Sequence, residues 1–110
     1  MSDETRAAAI AALNDSHRAS PGAAWTLGRR LYDLGEAFVA KAVAAVVGFD
    51  AFTEGDDPYG ERDFGAFDLE GQRVMWKIDY YDLDLCGGSP DPANPAVTRR
   101  VLTLILAEDY

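Results

Sequence analysis

The chain has 110 residues, 48% of them hydrophobic, and a formal net charge of −9. That apolar content can fill one packed core and argues against wholesale disorder. The acidic balance excludes non-specific binding to nucleic acid or anionic membranes, both of which need excess Lys and Arg. The lone cysteine, Cys86, leaves no intramolecular disulfide and no thiolate metal cluster.

Residues 3–18 predict a first helix. Ser2 can cap it, Asp3 and Glu4 suit the positive end of the helix dipole, and Ala7 to Ala12 has high helix propensity. His17 falls in its last turn, where an imidazole reads as a favourable C-terminal cation or a solvated side chain. Ser20-Pro21-Gly22 breaks the chain, and Ala23 to Leu27 predicts a short edge strand. Arg29-Arg30 reads as a solvated pair at a helix start. A second helix is predicted from about Gly35 to Phe49 by Ala37, Phe38, Ala42, Ala45, Val46 and Phe49. Val39, Val43 and Val47 lie on its other side, so it reads as buried nearly all round.

Asp50 to Asp63 is a turn-rich loop with Gly55, Pro58 and Gly60, anchored to the core by Phe52. Phe64–Leu69 and Gln72–Tyr81 predict a hairpin joined at Glu70-Gly71, where glycine supplies positive φ. Val74, Trp76, Ile78 and Tyr80 share the core face of its second strand. Met75, Lys77, Asp79 and Tyr81 share a mixed, wet face. After the loop from Asp82, Asn94 and Pro95 read as cap and first residue of a last helix, 95–108. Val97, Val101, Leu104 and Ile105 would form its inner stripe. The order predicts a single α+β domain over residues 1–110. A small antiparallel β-sheet (the hairpin plus one short strand) would pack against about three helices. No apolar leader and no transmembrane-length run is present, which reads as a cytoplasmic protein without a membrane partner.

The acidity is local. Asp50 to Asp91 carries twelve acids against Arg62, Arg73 and Lys77, which accounts for the whole −9; the remaining seven acids and seven bases cancel. Nucleophilic catalysis has no support: there is no G-x-S-x-G, no plausible Cys–His pair and no G-x-x-x-x-G-K phosphate loop. Asp63-Phe64-Gly65 matches a kinase tripeptide without the rest of that signature. Asp79, Asp82 and Asp84, with Asp56, Asp57 and Glu61, are oxygen donors suited to Ca²⁺ or Mg²⁺, but calcium-loop spacing is not met. A metal-dependent hydrolase or metal-stabilised domain therefore stands as the alternative. No cofactor, catalytic residue or metal ligand is assigned. The first reading is a recognition surface in which Asp56, Asp57, Glu61, Asp63, Asp79, Asp82 and Asp84 supply charge. Tyr59 and Tyr81 supply aromatic contacts. Duplex DNA carries about one charge per 1.7 Å of axis, and a rigid row of carboxylates can stand in for it. The partner would be a basic protein surface, with no direct binding of nucleic acid.

At FDAFTEGDDPYGERDFGAF, VMWKIDYYD and GSPDPANPAVTRRVLTLILA the chain resembles a family defined by a domain of unknown function. Its members are small proteins carried on plasmids, phages and other mobile elements. The resemblance runs from about Leu13 to Tyr110 and brings no catalytic residues with it. It implies a mobile-element setting, in which small acidic proteins often inhibit host defences of the CRISPR or restriction type. That setting suggests a non-enzymatic inhibitor of a nucleic-acid-binding subunit of a host defence complex. A mobile-element adaptor that binds its partner through apolar contacts is the third reading.

Overall fold

The computed structural model describes residues 2–22 and 24–110. Helix α1 is Asp3–Arg18, strand β1 is Trp25–Leu27, α2 is the single turn Arg29–Tyr32 and α3 is Glu36–Val47. Strands β2 (Phe64–Leu69), β3 (Gln72–Tyr81) and β4 (Arg99–Leu106) complete a four-stranded sheet in the order β1-β4-β3-β2. β3 is antiparallel to both β2 and β4, while β1 runs parallel to β4. The α+β class stands. The sheet is mixed and larger than a hairpin plus one short strand. Ala23, placed in the first strand from sequence, lies outside the described residues.

The first helix begins where its cap dictates: the Ser2 Oγ accepts from the Thr5 backbone N–H at 3.1 Å. The hairpin turn puts Glu70 at φ 50° and Gly71 at φ 80°. Positive φ at both central positions matches the twist of the flanking strands.

The largest correction concerns the last element. Residues 95–108 are not a helix: Pro95–Val97 is one 3₁₀ turn, and Arg99–Leu106 is a strand in the middle of the sheet. The cap is real, since the Asn94 Oδ1 accepts from the Ala96 N–H at 2.9 Å, but it opens only that turn. The run VLTLIL satisfies both periodicities, so spacing could not decide. Pairing decides it. β4 runs beside β3 from Arg99↔Tyr81 to Leu106↔Val74 and beside β1 from Leu102↔Trp25 to Leu104↔Leu27. Leu102, Leu104 and Leu106 then fall on one face, where β-branched Val101, Thr103 and Ile105 take the other.

Val74, Trp76 and Ile78 of β3 join Leu102, Leu104 and Leu106 of β4 in the core, under Leu31 of α2 and Phe38, Ala42 and Val46 of α3. α3 buries that one stripe only; Ala40, Ala44 and Val47 are exposed, so it is not buried all round. The opposite sheet face carries Met75, Lys77, Asp79 and Tyr81 and is half-exposed, as its mixed composition predicts.

Arg18 ties the layers together. Its side chain is buried. Nη1 donates to the Val46 and Phe49 carbonyls at 2.9 and 3.0 Å, at and just past the end of α3. Nη2 pairs with Asp15 at 2.7 Å, and the guanidinium lies 5.2 Å from the Phe52 ring centroid and 5.1 Å from that of Trp76. Burial is tolerated because the charge is both paired and hydrogen-bonded.

His17 also departs from expectation. Its Nε2 is buried without a hydrogen-bond partner. Burial holds its pKa below the ordinary imidazole value; a backbone contact at Ala24 opposes this, and the Arg100 charge adds to the lowering. It is therefore not a solvated cation at the helix end.

Candidate recognition surface

Phe52 fixes the acidic loop to the core, as its placement in the sequence predicts. Its ring meets Phe49 edge-on at 4.9 Å and Trp76 at 6.1 Å. The loop then holds its own shape. The Asp57 N–H donates to the Thr53 carbonyl at 2.7 Å, the Asp56 N–H to the Thr53 Oγ1 at 3.2 Å, and the Arg62 N–H to the Asp57 Oδ1 at 3.0 Å. The Ile78 N–H donates to the Asp63 carbonyl at 2.8 Å, which joins the loop's end to β3.

A polar network under the loop fixes its last residues. The Asn14 Nδ2 donates to the Tyr80 hydroxyl at 2.8 Å and to the Glu61 carbonyl at 3.0 Å. The Tyr80 hydroxyl donates to the Glu61 Oε1 at 3.0 Å, and the Arg100 Nε donates to the Asn14 Oδ1 at 2.7 Å. The Arg100 guanidinium sits 5.1 Å from the Tyr80 ring centroid. Burial, aided by the charges of Asp63 and Glu61, pushes the Tyr80 phenol far above its ordinary value; the hydrogen bond from Asn14 opposes this. Tyr80 is a neutral structural donor here. Asn14 and Arg100 were not singled out in the sequence. One lies on a thin-faced helix, and the other was assigned to a helix that does not exist.

Four of the sequence-predicted acids act on one another. Half-burial raises the Asp63 carboxyl above the ordinary carboxylate range, and Glu61, Asp57 and Asp79 raise it further. Asp79, half-exposed on the uncovered sheet face, pairs with Lys77 at 3.3 Å. Asp56 is exposed at the loop tip, and Tyr59 is 79% exposed beside Glu61, Asp3 and Arg6. Asp82 and Asp84 belong to a separate turn after β3. There the Asp82 Oδ1 accepts from the Cys86 N–H at 3.0 Å, and the Asp82 N–H donates to the Gly87 carbonyl at 2.9 Å. No hydrogen bond or ion pair among the described residues joins that turn to the Asp63 cluster. Tyr81, at the end of β3, bridges to Gly88 of the turn.

Within the acidic stretch, Asp68, Glu70, Asp79 and Asp91 form ion pairs. Among the described residues, Asp56, Asp57, Glu61, Asp63, Asp82 and Asp84 form none with Lys or Arg. No three Asp, Glu, His or Cys side chains among the described residues gather as a metal ion would require. No helix among them is long and apolar enough to cross a membrane.

No curated protein and no solved structure matches the chain. A family model described as protein of unknown function (DUF3768) matches residues 27–109, from the end of β1 to the C-terminal turn. The match spans most of the chain, so the protein belongs to the DUF3768 family.

Proposed function

We propose that this protein is a small non-enzymatic inhibitor from a mobile element. Its acidic surface would occupy a basic nucleic-acid-binding site on a host defence complex in the cytoplasm, of the CRISPR or restriction type. One observation carries the reading: Asp63 is half-buried against the charges of Glu61, Asp57 and Asp79, with no Arg or Lys among the described residues in ion-pair contact with it. A solubility coat gains nothing from crowding carboxylates together, whereas a polyanion surrogate depends on closely spaced charge. The Glu61–Tyr80–Asn14 network holds the cluster in place before any partner arrives, and such preorganisation lowers the cost of binding. Exposed Tyr59 offers an aromatic anchor beside it.

The test is capture of partners from a bacterial host lysate at low and high salt, with duplex DNA as competitor. Long-range attraction between charged surfaces is screened by salt, so capture falls steeply as ionic strength rises, and DNA displaces the partner. The double variant Asp82→Asn, Asp84→Asn weakens capture while leaving the melting temperature nearly unchanged, because Asn at position 82 retains the oxygen that accepts from Cys86. Capture that is indifferent to salt sinks the electrostatic reading. The apolar-adaptor reading has one observation in its favour: exposed Tyr32, Leu34 and Val47 around α2 and α3. Salt-insensitive capture lost on Tyr32→Ala would support it. The metal-dependent reading has no converged donor set among the described residues to build on.

A further inference from the structure

The sheet, in the order β1-β4-β3-β2, has two edges, and they differ. β1 is three residues long, and so short an edge offers little to pair with. β2 is six residues long, with no proline, no Lys or Arg and no bulge in its register against β3. Those are the devices that blunt a sheet edge, and of charged residues β2 has only Asp68. The Asp63 carbonyl accepts from the Ile78 N–H, so the backbone groups of Gly65, Phe67 and Leu69 face β3 in turn. Alternation directs those of Phe64, Ala66 and Asp68 outward, and no hydrogen bond among the described residues reaches them.

The surroundings of this edge decide the charge of what can pair with it. The loop that enters β2 carries Asp50, Glu54, Asp56, Asp57, Glu61 and Asp63 against Arg62 alone. None of those six acids forms an ion pair with Lys or Arg among the described residues, and Arg62 is engaged with Asp15 at 3.0 Å. A second copy of the chain would bring another net charge of −9 to the same place, and like charge opposes it. A basic strand is attracted instead. Phe67, packed against the core, and Asp68 project to opposite faces of β2. An added strand therefore meets an apolar side chain on one face and an acid on the other, which suits a segment that alternates apolar and basic residues.

We infer that β2 accepts an extended, Lys- or Arg-bearing segment of a partner protein as an added strand, held by main-chain hydrogen bonds to Phe64, Ala66 and Asp68. Strand addition of this kind takes its affinity from the backbone and its specificity from alternate side chains. The inference rests on the acidic-surface reading for the charge of the partner, and it adds how that partner is gripped.

The experiment titrates the full chain with the end-blocked peptide Lys-Val-Lys-Val-Lys-Val and follows affinity by calorimetry and backbone amide exchange by NMR. The expected result is saturable binding that slows exchange of the Phe64, Ala66 and Asp68 amides. The same peptide N-methylated throughout keeps its charge and loses its main-chain donors. It binds about tenfold or more weakly, the scale of one or two main-chain hydrogen bonds. Ala66→Pro has the same effect on the unmethylated peptide, because proline is tolerated on an edge strand where its nitrogen faces outward. Ala66→Ser keeps the N–H and binds as the wild type does. If Ala66→Pro loses its fold, the methylated peptide decides the matter on the wild type. No saturable binding, or binding unchanged by N-methylation, overturns the inference; in the second case the acidic surface still stands, because charge alone then holds the peptide. Equal binding of Glu-Val-Glu-Val-Glu-Val overturns the basic occupant and the acidic-surface reading together. Protection of the same amides in the free protein that grows with protein concentration places a second copy on the edge, and it overturns the inference as well.

Discussion

Asn14 joins the acidic loop to the rest of the molecule, so Asn14→Ala is the most informative perturbation. The side chain is 0% exposed. It donates to the Tyr80 hydroxyl and the Glu61 carbonyl and accepts from the Arg100 Nε. Each neutral bond contributes about 1 kcal/mol and a bond to a charged group about 1.5–3 kcal/mol. Truncation also leaves the part-buried Glu61 carbonyl and Arg100 Nε without that partner, and the Tyr80 hydroxyl retains only its bond to Glu61. The expected loss is about 3–5 kcal/mol by that reckoning, a large part of the stability of a domain of this size. Equilibrium urea unfolding at low temperature measures it, with a lowered midpoint and an unchanged slope. Native-state hydrogen exchange provides the second readout. The Ile78 amide, which donates to the Asp63 carbonyl where the loop meets β3, loses protection along with its neighbours. A loss below about 1 kcal/mol would mean that the three bonds do not hold the loop, and the preorganised surface would lose its physical basis.

Two further outcomes follow from the same contacts. Asp63→Asn raises stability at neutral pH, because it removes a carboxylate whose folded-state pKa is raised by burial and by its acidic neighbours. In the wild type that group favours the fold when protonated, and this contribution is lost as pH rises through the folded pKa. The variant's advantage therefore vanishes in acid, where both proteins are neutral at this position; thermal melts across a pH series read it, and an advantage that persists in acid refutes the cause given. If the acidic surface is functional, the same variant binds its partner less well while folding better, as expected where charge is crowded for function. Gly65→Ala destabilises by about 1–3 kcal/mol through overpacking. A Cβ there would sit 2.5 Å from the Trp76 Nε1 and 2.7 Å from the Phe49 Cζ, both in the aromatic cluster around Arg18. Gly88→Ala, with nothing within 4 Å, is the control, and equal melting temperatures for the two variants would refute the packing argument.

Local chemistry was enough for α1, α3, the hairpin and the loop anchor. A serine cap with first-turn acids, a helical stripe of Phe38, Ala42 and Val46, a Glu70-Gly71 turn and Phe52 each act over a few residues. The concentration of acid in one stretch is likewise a property of the chain. Arg99–Leu106 was undecidable locally, because a nearly continuous apolar run fits both periods, and only hydrogen bonding to β1 and β3 made it a strand. That one outcome propagates to the polar network under the loop. As a strand, β4 sets Arg100 opposite Tyr80 and within reach of Asn14. Ion pairing is equally non-local: the partners of Arg6, Arg30 and Arg62 are Asp91, Glu108 with Asp109, and Asp15. The sequence thus determined how much charge the protein carries and which segment holds it. Which acids are left uncompensated, and which arginines are left without a carboxylate, depends on distances between segments far apart in the chain, and those exist only once the sheet has closed.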